Sequence, residues 1–125
     1  MKQTNVCIRV NRDESQIHRA QGFVRQVDGL VDTFVRSLKL IANPVRLKIL
    51  LLLHRETRLC VCDLSEILGM TVPAVSQHLK KLYQGELVDK IQEGVTVFYH
   101  LRPSAKPLLY TLFGQISKKE PIDLF

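Results

Sequence analysis

The sequence has no apolar run near the roughly 18 residues that a membrane span needs, and Met1 to Val10 lack the apolar stretch of a secretory signal. The expectation is a soluble, cytoplasmic protein with no membrane partner. It also lacks an even set of cysteines, having three: Cys7, Cys60 and Cys62. Without an export signal, that count argues against a disulfide framework and for metal binding or redox chemistry. Nor is there length for two ordinary domains, since 125 residues at 46% apolar suit one unit with a real core. Positive charge is in excess, +6 at pH 7, which suits a polyanion such as nucleic acid or an anionic membrane surface. Its distribution is uneven. Residues 1–27 carry five Lys/Arg against two acids and residues 28–60 six against three, whereas residues 61–102 carry four against five.

Residues 1–13 are polar without a sustained period and read as a flexible arm carrying Cys7. Residues 14–119 form the main domain and 120–125 a tail. Ile17, Ala20, Val24, Val27, Val31, Phe34, Leu38 and Ile41 are spaced alternately by three and four, the seam of a helix that packs on other helices. Gly22 and Gly29 lie inside the seam at about 1 kcal/mol each relative to alanine, which predicts a break near Gly29. Asn43-Pro44 is a helix start, and the helix running to about His54 is apolar almost all round, so it is central.

A polar Glu56-Thr57-Arg58 leads into strand-like Leu59 to Val61 and a short helix from Cys62 to Leu68, stopped by Gly69. Thr71 is a good cap for the next helix, with Pro73 in its first turn. That helix turns Val72, Val75, Leu79 and Leu82 inward and Ser76, Gln77, Lys80 and Lys81 outward. Two helices joined by a short glycine turn make a helix-turn-helix. Leu87 to Gln92 and Val95 to Leu101, joined at Glu93-Gly94, add a hairpin wing. Pro103 and Pro107 introduce a last helix with an apolar face of Leu108, Leu109, Leu112, Phe113 and Ile116. The fold expected is mainly α with a small β-hairpin, a winged helix-turn-helix. It is expected to dimerise through Val24, Val27, Val31 and Phe34 together with Leu108, Leu109, Leu112, Phe113 and Ile116.

Four stretches of this chain, Ala42 to Leu50, Leu59 to Leu64, Ser76 to Leu82 and Val97 to Leu101, resemble in order and spacing the ArsR/SmtB family of bacterial metal-responsive repressors. The arm with Cys7 looks most like the cadmium/lead-responsive branch, in which arm cysteines of one subunit join the Cys-x-Cys of the other. The resemblance implies a site made of Cys7, Cys60 and Cys62. Two departures stand out: Ser65 where the arsenic-responsive branch has a third cysteine, and Asn11 where the cadmium/lead branch has a second arm cysteine. A second metal site of the family on the last helix uses Asp, His and Glu. Ser104 to Lys119 hold none of these, so that site is expected to be absent.

On a regular helix the side chains of Cys60 and Cys62 point about 200° apart. On extended backbone they share a face, about 7 Å apart at Cα, still wide for two thiolates on one ion. The pair can chelate only where the backbone adapts at the start of the helix. Three soft thiolates favour Cd(II) or Pb(II), with As(III), Hg(II) and Bi(III) as further possibilities. Zn(II) prefers a fourth ligand, for which His18 is the one nameable candidate. The thiols also suit oxidation or persulfidation as the alternative trigger.

A recognition helix presents short polar and basic groups to base edges and phosphates. Thr71, Ala74, Ser76, Gln77, His78, Lys80 and Lys81 fit that face, with Gln77 foremost for base contact and His78 either a contact or a helix support. Lys90, Gln92 and Thr96 on the wing are placed for a minor groove or its phosphates. Together these features predict a homodimeric repressor, not an enzyme. It would bind a palindromic operator with half-sites about one helical turn apart and leave it when a thiophilic metal binds. The rival from another class is a winged-helix module for protein contacts.

Overall fold

Glu14–Ile41 form one helix, α1, in the computed structural model, which describes residues 6–120 and 122–124. Asp13 starts it by accepting the Gln16 amide at 2.9 Å. Residues 6–13 have neither helix nor strand and are exposed. The first five residues of the expected arm, and Pro121 and Phe125 of the expected tail, lie outside the described residues. The break expected at Gly29 does not occur. Each glycine weakens a helix by about 1 kcal/mol, but helical hydrogen bonding is cooperative and an isolated glycine inside a long helix is tolerated.

The chain divides into two units, Met1–Phe34 and Val35–Phe125, with the division inside α1. In the first unit, Val24, Val31 and Phe34 are 55%, 49% and 50% exposed, and Phe23 and Leu30 are more so. At 100° per residue the apolar residues from Leu30 round to Ile17 cover an arc of about 140°, broader than the stripe of an ordinary surface helix.

The second unit is built on local start and stop signals. Asn43 Oδ1 accepts the Arg46 amide at 3.0 Å and Pro44 opens α2, Pro44–Glu56. Ile49, Leu50 and Leu53 of α2 are buried. The helix ends at Thr57, held at φ 75°, ψ −55°, with the Arg58 amide donating to the Glu56 carbonyl at 2.9 Å. This is a γ-turn with a β-branched residue at its centre, a strained arrangement.

Leu59–Cys60 then form β1 and Val61–Leu68 form α3. Gly69, at φ 64°, closes α3 in the left-handed region, with the Met70 amide donating to Ser65 O at 3.1 Å. Thr71 Oγ1 accepts the Ala74 amide at 3.3 Å and starts α4, Val72–Gln84. The wing is β2, Val88–Glu93, and β3, Thr96–Leu101, turning at Gly94 with φ 63°. A 3₁₀ turn at Pro103–Ala105 leads into α5, Lys106–Ser117.

The sheet is antiparallel in the order β1-β3-β2, so the wing has a third strand beyond the expected hairpin. Leu59 pairs with Tyr99 and Cys60 with Phe98. The core gathers α2, α3, α4, the base of the wing and α5, centred on Leu50, Leu64, Val75, Leu79, Leu82, Val88 and Phe113. Leu109 and Phe113, expected at an interface, are wholly buried in the core of their own chain. They anchor α5, while Leu108, Leu112 and Ile116 on the same helix stay half-buried. Among the described residues no helix is long and apolar enough to cross a membrane.

Candidate metal and DNA sites

Cys60 and Cys62 straddle the junction of strand and helix. Cys60 is the N-cap residue of α3, extended at φ −89°, ψ 168°, and its side chain makes no capping hydrogen bond. Cys62 lies in the first turn of α3 and is exposed, whereas Cys60 is half-buried. The expected helix start at Cys62 thus moves to Val61, and the pair adopts neither regular geometry considered from spacing. Cys7 is exposed in the first unit, and all three thiols are free. Among the described residues of one chain, no three His, Cys, Asp or Glu side chains are grouped to hold an ion.

α4 divides into two faces, although Val72, expected inward, is exposed in its first turn. Val75, Leu79 and Leu82 are buried, while Ser76, Gln77, Lys80 and Lys81 are exposed. Thr71 uses its hydroxyl oxygen as the cap and Ala74 is half-buried. His78 is half-buried with Nδ1 3.4 Å from Arg46 Nη1, and Arg46 Nε donates to the Leu40 carbonyl at 2.6 Å. Arginine can only donate, so Nδ1 accepts in this contact, which requires the neutral ring with its proton on Nε2. Desolvation, then the charges of Arg46 and Lys81, hold the His78 pKa below the usual histidine value. Of its two expected roles, the geometry favours support of the helix.

On the wing, the Lys90 ammonium lies 4.5 Å from the centre of the Tyr83 ring at the end of α4. This cation–π contact ties wing to recognition helix. Gln92 Nε2 donates to the Gly94 carbonyl at 3.1 Å, across the turn, and Thr96 pairs with Glu93. Arg102 braces the wing base through Asp89 at 2.9 Å.

Two residues that the sequence reading did not single out matter here. Arg46 carries the contact to His78. Arg58 grips Glu93 with two N–H donors, at 2.7 and 3.1 Å, and its guanidinium lies 4.1 Å from the centre of the Phe98 ring. That hydrogen-bonded pairing holds the Glu93 carboxyl below the usual carboxylate range.

Residues 43–90 match the model of the bacterial regulatory proteins of the arsR family. The chain is 30% identical over 89 residues to the cadmium resistance transcriptional regulatory protein CadC of Listeria innocua, a match covering 71% of this chain and 73% of CadC. The chain belongs to the arsR family. This arsR-family protein is also 35% identical over 65 residues to the arsenic resistance transcriptional regulator ArsR1 of Pseudomonas putida. There the match covers 52% of this chain and 51% of the relative, about half its length. Among solved structures, the homodimeric winged helix-turn-helix DNA-binding domain of Mb0332 from Mycobacterium bovis superposes with a TM-score of 0.65 at 27% identity. That likeness covers 77% of this chain and 88% of the domain. The arsR-family chain is a winged helix-turn-helix transcriptional regulator and not an enzyme.

Proposed function

We propose that this arsR-family regulator is a homodimeric repressor. It binds a palindromic operator through α4 and the wing, and releases it when a thiophilic metal such as Cd(II) or Pb(II) is held by cysteine thiolates. As(III), Hg(II) and Bi(III) are the other ions this donor set suits. The observation that carries the reading is the position of Cys60, at once the N-cap of the first helix of the helix-turn-helix and a partner of Phe98 in the wing. A shift of backbone there reaches both DNA-reading elements. Cys60 and Cys62 supply two thiolates, and Cys7 of the partner subunit the third, so that three cysteines per chain make two equivalent sites per dimer. Names of relatives support the metal class: one is a cadmium resistance regulator and another an arsenic resistance regulator.

DNA recognition in this reading rests on Gln77 for base edges. Thr71, Ser76, Lys80 and Lys81 hold phosphates, Ala74 packs close to the groove, and Lys90, Gln92 and Thr96 serve the wing. The apolar arc of α1, with Val24, Val27, Val31 and Phe34, meets a second copy, together with Leu108, Leu112 and Ile116. Release is a linkage effect: if metal weakens DNA binding, DNA weakens metal binding by the same factor.

Titration of the reduced protein with Cd(II) tests the site. The expected result is an ultraviolet thiolate-to-metal band saturating at one ion per chain, diminished in Cys60→Ser and in Cys7→Ser. No band under reducing conditions, with operator release on oxidation instead, would transfer the trigger to thiol redox chemistry.

A further inference from the structure

We propose that Arg58 is a positioning residue that masks the charge of Glu93 at the wing tip, and that movement of the Cys60 strand unmasks this carboxylate against the DNA backbone. The inference rests on the wing lying beside DNA, as proposed above.

Residues 91–97 contain a single charged side chain, Glu93. Left bare, it would place an acid where phosphates pass, on a wing otherwise suited to contact them. Arg58 cancels it through two donors from one guanidinium to the two carboxylate oxygens, at 2.7 and 3.1 Å. This fork geometry fixes position as well as charge. The same guanidinium stacks on Phe98, the residue paired with Cys60, so the clasp joins the approach to β1, the middle strand β3 and the end of β2.

Arg58 is two residues before Cys60 and closes the strained γ-turn centred on Thr57. A backbone adjustment that brings the Cys60 and Cys62 thiolates onto one ion moves the short segment bearing Arg58, while Glu93 stays with β2. The other wing charges are occupied apart from it: Asp89 with Arg102, and Lys90 over Tyr83. Arg58 and Glu93 side chains are about half-exposed, and an exposed pair contributes little to fold stability. Its consequence is electrostatic, at the surface that faces a polyanion.

Charge masking and a merely structural latch make opposite predictions for the two partners. Operator affinity of the full-length, reduced, metal-free protein is measured by fluorescence anisotropy at low and high salt. Arg58→Met leaves Glu93 bare and weakens binding about five- to ten-fold at low salt, a loss that shrinks at high salt. Glu93→Gln removes the acid and leaves binding equal to or tighter than wild type, with a smaller Cd(II)-driven release. The double variant R58M/E93Q returns to near wild-type affinity. Equal weakening by both single variants, or a double variant as weak as R58M, overturns the proposal in favour of a purely structural contact. Thermal unfolding of each variant close to wild type confirms that the comparison is made on folded protein. Failure of the wild type to release DNA with Cd(II) would refute the metal reading, while the metal-free series still decides the masking.

Discussion

α1 and α4 carry the same kind of pattern, apolar residues at spacings of three and four, yet the two helices resolve it differently. α4 buries Val75, Leu79 and Leu82 completely within its own chain. α1 leaves Val24, Val31 and Phe34 about half-exposed on an arc of about 140°. Periodicity reports that a face is to be covered, not by which chain. For α4 the cover is α2, α3 and the wing, close in sequence. For α1 the proposed cover is a second copy, each fully buried Phe or Val there contributing about 1.5–3 kcal/mol.

The sharpest way to test this contrast is to damage each stripe in turn. Leu79→Ala empties a fully buried site and should cost about 2–5 kcal/mol of stability in chemical denaturation. Phe34→Glu should leave the fold of the second unit intact and raise the dimer dissociation constant at least about thirty-fold, read by sedimentation equilibrium. A dimer that survives Phe34→Glu unchanged would remove α1 from the interface.

Thr57→Gly relieves the γ-turn and should stabilise the chain by about 1 kcal/mol in the same denaturation assay. The smallest effect concerns His78. Its folded pKa is lowered by desolvation and by Arg46 and Lys81, so the folded state binds the proton less readily than the unfolded chain. Its contribution is complete above the unfolded value of about 6.5, declines as pH falls through it, and levels off below the lowered folded value. His78→Gln should flatten that part of the stability profile.

Much of the second unit is legible because its signals are local. Asn43-Pro44, Gly69 and Thr71-Pro73 each act within one helical turn, and each sits where a helix starts or stops in the structure. Leu59 to Val61 read as strand-like, but the pairing of the two-residue β1 with Tyr99 and Phe98, about forty residues away, is announced by no local pattern. The Arg58 and Glu93 clasp and the Arg46 contact to His78 span 35 and 32 residues and are invisible for the same reason. Gly29 was misleading in the other direction, since a low intrinsic propensity is outvoted by the long helix around it. The cysteines were legible as candidates from number and spacing. Their place at a strand-to-helix junction was legible too, and the structure moves the helix start by one residue, to Val61, with Cys60 as its N-cap.

In the proposed mechanism the Cys60–Cys62 junction, at the start of α3 and beside β3, controls the DNA-reading elements. The most direct measurement is the anisotropy of a labelled operator bound by reduced wild-type and Cys60→Ser protein during titration with Cd(II). Wild type should release the operator at about one ion per chain, while Cys60→Ser, with unchanged metal-free affinity, should retain it. Equal release from both proteins, or none from wild type, would contradict it.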